Sequence, residues 1–295
     1  MDKSRLKEAR KHGNPIYPVS LYDITCPPDA PLLDLHWHDE LELLMVTEGR
    51  AVFRVDMNDY ELQTGEAIFV NSGELHSGYV VGDQPCSFSA VVFHSSLFNS
   101  GSIDYLFDRY ISPVLERRYD VPVHLRREPG NMYDLLILLD QLFAVNRMSL
   151  MAPELTIKGL LYGIISRLIN LGGTAARAKP EQEGYRIERL KTVIEYIEQH
   201  YADPIPLQKL AELARMSESY FCRFFKRITT KSPIEYMNNY RVQLAANRLR
   251  QSDAKIMEVA LDVGFNSLSY FNTVFRQRYG CTPRQYRSRT EGQRS

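Results

Sequence analysis

The stretch "HWHDELE" (36–42) sets His36, His38 and Glu42 two and four residues apart, and "GEAIFVNSGELH" (65–76) adds His76. Three imidazoles and a carboxylate suit iron, manganese, nickel or zinc, with positions left open for a further ligand. The same side chains can instead hydrogen-bond one another or an organic effector, and both readings stay open. In an extended strand, residues 36, 38 and 42 share parity and face one way. A hairpin partner would bring His76 beside them. Trp37, the only tryptophan, has the opposite parity and is expected to pack outside, against a helix or a partner.

Such side chains need a frame. Residues 15–100 alternate short apolar runs ("LELLMV", "AVFRV", "AIFV", "SFSAVVF") with turn signals ("EG", "MND", "QTG", "NSG"), which predicts a compact antiparallel barrel or sandwich. Helical periodicity begins at 102–117 and strengthens at about 131–146 and 153–171. Leu135, Leu138, Leu139, Leu142 and Phe143 line the first of these two helices; Leu160, Leu161, Ile164, Ile165, Leu168 and Ile169 line the second. The two are expected to cover the barrel, to form a dimer interface, or both. "GGTAARAKPEQEG" (172–184) reads as a flexible linker. The organisation is therefore an α+β chain. An N-terminal β-barrel with flanking helices (15–171) is followed by the linker (172–184) and an all-α domain (185–290).

Composition narrows the function classes. A chain of 295 residues with 44% apolar and 24% charged residues is an ordinary globular protein with room for two domains. Cys26, Cys86, Cys222 and Cys281 form no CxxC pair, so neither a zinc finger nor a redox motif is indicated. The charged N-terminus is no signal peptide, and no apolar run reaches the roughly 18 residues of a membrane helix. A cytoplasmic protein without a membrane partner is expected. Residues 181–295 hold 19 Lys and Arg against 13 Asp and Glu, although the whole chain is neutral. That asymmetry points the C-terminal part toward a polyanion.

The C-terminal part also contains a repeat. "LQKLAELARMSESYFCRFFKRITTKSPIEY" (207–236) matches "IMEVALDVGFNSLSYFNTVFRQRYGCTPRQY" (256–286) at an offset that grows from 49 to 50 across one inserted residue near the turn. Each copy reads as helix, tight turn, helix, the helix-turn-helix pattern. Gly264 supplies the permissive turn of the second copy, and Arg215 or Met216 stands in its place in the first. A left-handed residue there would cost about 1–2 kcal/mol. Ser217 and Asn266 are the expected caps. Tyr270, Phe271, Val274 and Phe275 are expected to face inward.

The second helix of such a unit enters the major groove and places its side chains at base edges. The outward set of the first copy is Ser217, Glu218, Ser219, Cys222, Arg223, Lys226 and Arg227. In the second copy it is Asn266, Ser267, Leu268, Asn272, Thr273 and Arg276. Arg223 suits guanine and Asn272 adenine. Lys226, Arg227 and Arg276 lie further along, nearer phosphates. One long helix over 233–252 would space the two reading helices by a turn of DNA, about 34 Å.

The tail, roughly 186–287, resembles the AraC-type family of transcription regulators, most specifically in "IMEVALDVGFNSLSYFNTVFRQRYGCTPRQYR". That resemblance implies two helix-turn-helix units binding double-stranded DNA and an effector domain ahead of them. It also implies activation of transcription through RNA polymerase. The N-terminal part resembles a cupin. His36, His38, Glu42 and Gly49 match the first motif; Gly65, Gly73 and His76 match the second. Ala30, Asn71 and Val80 depart from the scaffold pattern.

The leading expectation is a regulator, acting as a homodimer and not an enzyme. A small-molecule, carbohydrate-type effector would bind at His36, His38, Glu42 and His76. No cofactor is required. The alternatives are a metal-dependent cupin enzyme, or a metal sensor using those four residues, attached to the DNA-binding module.

Overall fold

A computed structural model describes residues 6–8, 10–28, 31–99, 104–172, 181–229, 231–252 and 254–291. The chain divides into two compact units, one over Lys7–Glu181 and one containing Gln182–Ser295. Position 30 and most of the expected linker, 173–180, lie outside the described residues.

The N-terminal unit contains two antiparallel sheets. The five-stranded sheet runs β1 (Val19–Cys26), β8 (Cys86–Phe93), β3 (Leu41–Glu48), β6 (Ala67–Val70), β9 (His124–Leu125). The four-stranded sheet runs β2 (Pro31–His36), β7 (His76–Val80), β4 (Arg50–Val55), β5 (Asn58–Gln63). Period-two alternation sorts β3 and β8 into two faces. Leu43, Met45, Val91 and Phe93 pack with α2 (Asn131–Val145) and α3 (Pro153–Gly172). Leu44, Val46, Phe88 and Ala90 meet Phe53, Val55 and Leu62 of the other sheet. The two apolar helices thus cover the five-stranded sheet. The segment expected as one helix at 102–117 contains a π-helical stretch, Phe107–Ile111, running into the short α1 (Ser112–Leu115).

The C-terminal unit is helical among its described residues. α4 (Glu181–His200) begins inside the expected linker, followed by α5 (Leu207–Leu213), α6 (Glu218–Thr229) and α7 (Pro233–Gln251). Then come α8 (Ile256–Asp262), α9 (Leu268–Tyr279) and α10 (Pro283–Glu291). Pro233 and Pro283 each open a helix, where a missing N–H costs nothing. Ser232 and Glu235 close a reciprocal capping box on α7. Val242, Ala245, Ala246 and Leu249 of α7 pack on Val259, Phe271 and Phe275 of the second helix-turn-helix.

The two turns share one hydrogen-bond pattern. Arg215 N donates to Glu212 O and Met216 N to Ala211 O; Gly264 N donates to Leu261 O and Phe265 N to Ala260 O. Arg215 (φ 52°) and Gly264 (φ 91°) are both left-handed. At Gly264 a Cβ would lie 2.7 Å from Tyr201 O and 2.8 Å from Ala202 O, so only glycine fits. Two expectations are corrected here. The cap of α9 is Ser267, whose hydroxyl accepts from Tyr270 N, and not Asn266. Asn266 is the inserted residue of the second copy, which moves the start of the helix one place on. Tyr270 faces outward, half exposed, with its hydroxyl accepting from Asn238 Nδ2 at 2.9 Å, while Phe271, Val274 and Phe275 are buried.

Candidate effector site and nucleic-acid interface

The four residues singled out in the N-terminal unit come together, though not on one strand. β2 ends at His36 and β3 begins at Leu41, so His38 lies in the segment that passes between the sheets. His36 and His76 are register partners across β2–β7. Glu42 stands on β3 with the parity of Leu44, facing between the sheets. The site is therefore assembled from both sheets and their connection. Trp37 is buried outside the four-residue set. It lies beneath the N-terminal segment, with Lys7 Nζ 4.6 Å above its ring and Glu8 N donating to its carbonyl.

Donor atoms of His36, His38, Glu42 and His76 all lie within 4.8 Å of one another. His38 Nε2 is 3.2 Å and His76 Nε2 3.1 Å from the same oxygen, Glu42 Oε2. The far side of each ring is held by a carbonyl: His36 Nδ1 by Asp34 O at 2.8 Å, His38 Nδ1 by Glu40 O at 3.2 Å, and His76 Nδ1 by Glu74 O at 2.9 Å. A carbonyl only accepts, so each Nδ1 carries a proton; a neutral ring then turns a bare Nε2 lone pair inward, and a charged His38 or His76 turns an Nε2 donor toward Glu42 Oε2. Three imidazole nitrogens and a carboxylate converge there. His76 Nε2 is fully buried and has no well-directed hydrogen-bond partner.

The electrostatics follow from this crowding. Burial raises the Glu42 carboxyl, but its contacts with His38 and His76 and their charge hold it well below the carboxylate range. Burial also works against a charged His38, yet the Glu42 contact and the charges of Glu42, Glu40 and Glu8 raise its pKa. His36 is pushed down to about 4, first by burial and then by His76.

The donor types of this set suit a divalent metal, and its span of up to 4.8 Å would have to close slightly around one ion. Two ligands each about 2.1 Å from one ion stand about 3.0–3.4 Å apart at right-angled to tetrahedral openings, which is the spacing of the two Glu42 contacts. Carbonyl-anchored imidazoles are the usual outer support of such ligands. Hydroxyl donors of an organic effector would satisfy the same lone pairs.

Three residues of the surroundings carried no sequence signal. Glu8 Oε2 lies 3.2 Å from His12 Nε2 and 3.5 Å from His36 Nε2. His12 Nδ1 lies 2.9 Å from the Tyr22 hydroxyl. The N-terminal segment read only as charged and no signal peptide, yet its acid and its buried histidine belong to this polar cluster.

In the C-terminal unit, Glu218, Ser219, Arg223, Lys226 and Arg227 are exposed on α6 above buried Phe221, Phe224 and Phe225; Ser217 precedes that helix, and Cys222 is half-buried. Asn266, Ser267, Leu268, Asn272, Thr273 and Arg276 are exposed on or just before α9. Thr273 Oγ1 donates to Ser269 O, which ties its hydroxyl to the helix backbone. Exposed Tyr220 and Tyr270 extend the two outward sets. Behind them, buried Arg241 donates to Tyr201 O and Asp203 O, at 2.7 and 2.8 Å, fastening α7 to the loop that packs on Gly264.

A sheet-rich unit with an inward polar cluster, followed by two helix-turn-helix copies joined by a helix, defines a DNA-binding regulator with a ligand-binding domain. Residues 28–132 match an AraC-like ligand binding domain and residues 210–289 a helix-turn-helix domain. The chain is 27% identical to the HTH-type transcriptional regulator YdeC of Bacillus subtilis over 284 residues, 96% of each chain. It is 34% identical to the regulatory protein SoxS of Salmonella typhimurium over 100 residues, 34% of this chain and 94% of SoxS. It is 24% identical to the transcriptional activator RhaS of Escherichia coli over 289 residues, 95% of this chain and 98% of RhaS. The chain belongs to the AraC/XylS family of transcription regulators. Among the described residues no helix is long and apolar enough to cross a membrane.

Proposed function

We propose that this regulator activates transcription from the cytoplasm as a homodimer, controlled by a small molecule of carbohydrate type bound at His36, His38, Glu42 and His76. The observation that carries the effector site is the convergence of three carbonyl-anchored imidazoles on Glu42. Polyol hydroxyls donate to such lone pairs and remove the cost of leaving them unpaired. Activation through RNA polymerase is supported by the likeness to RhaS, itself an activator. The α2–α3 pair supports dimerisation, since Ile137 and Leu155 stay exposed on it. Arg223 and Asn272 read bases, while Lys226, Arg227 and Arg276 contact phosphates. The other outward residues of α6 and α9 complete the interface. Catalysis has no part in this reading.

A second reading is favoured by the same anchored imidazoles: a divalent transition metal is the effector, held by those four residues. A thermal-shift screen of the full chain against sugars and divalent metals separates the two. A sugar that raises the melting temperature with concentration, and changes DNA affinity, supports the first. Stabilisation by metal alone, lost in His76→Ala, replaces it with the second. Stabilisation by neither class overturns both.

A further inference from the structure

Cys26 closes β1 and Cys86 opens β8, and the two are direct register partners. Side chains directly opposite in an antiparallel pair leave the sheet on one face, with Cα atoms about 4.5–5.5 Å apart. That lies inside the roughly 4.4–6.8 Å that a disulfide spans. Both thiols are free, and both belong to the core between the sheets. Burial raises the pKa of each, to about 11 at Cys86, where the charge of Cys26 adds to the rise. The two sulfurs thus lie within one another's field. Cys26 keeps 9% of its surface exposed against 0% for Cys86, so an oxidant reaches Cys26 first. The pair is remote from the histidines: Glu42 pairs with Val92, six residues further along β8, about 20 Å at strand rise.

We propose that Cys26 and Cys86 are a redox-modification site that closes a reversible disulfide across β1–β8 when the protein meets a hydroperoxide. The Cys26 thiolate attacks one peroxide oxygen, the O–O bond breaks, and Cys26 becomes a sulfenic acid with release of water. The Cys86 thiolate then attacks the sulfenic sulfur and expels hydroxide, which takes up a proton. Two thiols and one hydrogen peroxide give one disulfide and two waters; sulfur loses two electrons and the peroxide gains them. A dithiol reductant reverses the step by exchange. The product would tie the edge strand β1 to its neighbour, fixing the point from which the chain crosses to β2 and His36. This site is independent of the effector reading.

The test treats the reduced full chain with hydrogen peroxide, quenches it, unfolds it and alkylates every remaining thiol. The expected result is a chain lighter by two hydrogens before alkylation, with one cross-linked peptide joining Cys26 to Cys86 and full recovery after dithiothreitol. Its rate should rise about tenfold per pH unit below the thiol pKa, because the thiolate is the nucleophile. Cys222→Ser keeps the cross-link, and Cys26→Ser or Cys86→Ser removes it. The proposal is overturned if Cys26 and Cys86 both stay alkylatable while Cys222 oxidises. It is equally overturned if the cross-link forms only in chain already unfolded by denaturant, a measurement that needs no variant.

Discussion

Glu42 and Arg223 are both charged side chains marked out by their spacing in the sequence, and the two units handle them in opposite ways. Glu42 is buried, with two imidazoles on one of its oxygens and a third ring close by. Arg223 stands exposed on α6 over a layer of phenylalanines. In the N-terminal unit the groups that carry chemistry are part of the core, so site and stability are one problem. In the C-terminal unit the phenylalanine layer is apolar and the groups proposed to read DNA stand on top of it, so on that proposal DNA specificity can change while the fold stays the same.

The largest expected break in that contrast is Glu42→Ala. It strands buried imidazoles without their shared acceptor and should cost about 3–5 kcal/mol in urea unfolding of the N-terminal unit. An unchanged midpoint would mean that the cluster is not held together by Glu42. Next in size is Gly264→Ala. The C-terminal unit keeps its fragility in the turn, so a left-handed alanine should cost about 1–2 kcal/mol, plus the clash with the Tyr201 and Ala202 carbonyls. Arg215→Gly in the matching turn should instead be neutral or stabilise, by up to about 1 kcal/mol. Equal losses at both turns would contradict the shared geometry.

A smaller effect is the pH dependence of the N-terminal unit. His36 is lowered from its ordinary 6.5 to about 4, so the unfolded chain takes up that proton first, and stability is lost as pH falls from about 6.5 toward 4. Glu42 is also lowered; its contribution is present above its ordinary pKa and lost as pH falls through the folded value. His38 is raised and acts the other way: its contribution is full below 6.5 and lost as pH rises through its folded pKa. Unfolding midpoints across pH 4–8 should therefore drop on the acid side, and His36→Gln should flatten that limb.

Both regions were legible in outline, for different reasons. The repeat gave away the helix-turn-helix copies because buried aromatics and proline stops recur at nearly one offset. The single inserted residue, Asn266, was enough to misplace a cap. Tyr270 was taken for core because tyrosine at an apolar position reads as apolar, and only the structure shows its hydroxyl at Asn238. In the N-terminal unit the histidine spacing picked out four residues that the structure brings together. Strand parity gave the wrong frame, since an alternating pattern does not reveal that the chain changes sheets between His36 and Leu41. Glu8 and His12 had no periodicity to reveal them; a tertiary contact alone recruits them.

On the proposed function one chain reads DNA twice, through α6 and α9. The most direct test selects a binding sequence from random DNA for the full chain, then measures affinity for every single-base variant at fixed salt. Wild type, Arg223→Ala and Asn272→Ala are compared. Each substitution should flatten discrimination by about 1–3 kcal/mol at one base position, and the two positions should lie about 10 bp apart. A uniform loss over all sequences, or two flattened positions side by side, would contradict it.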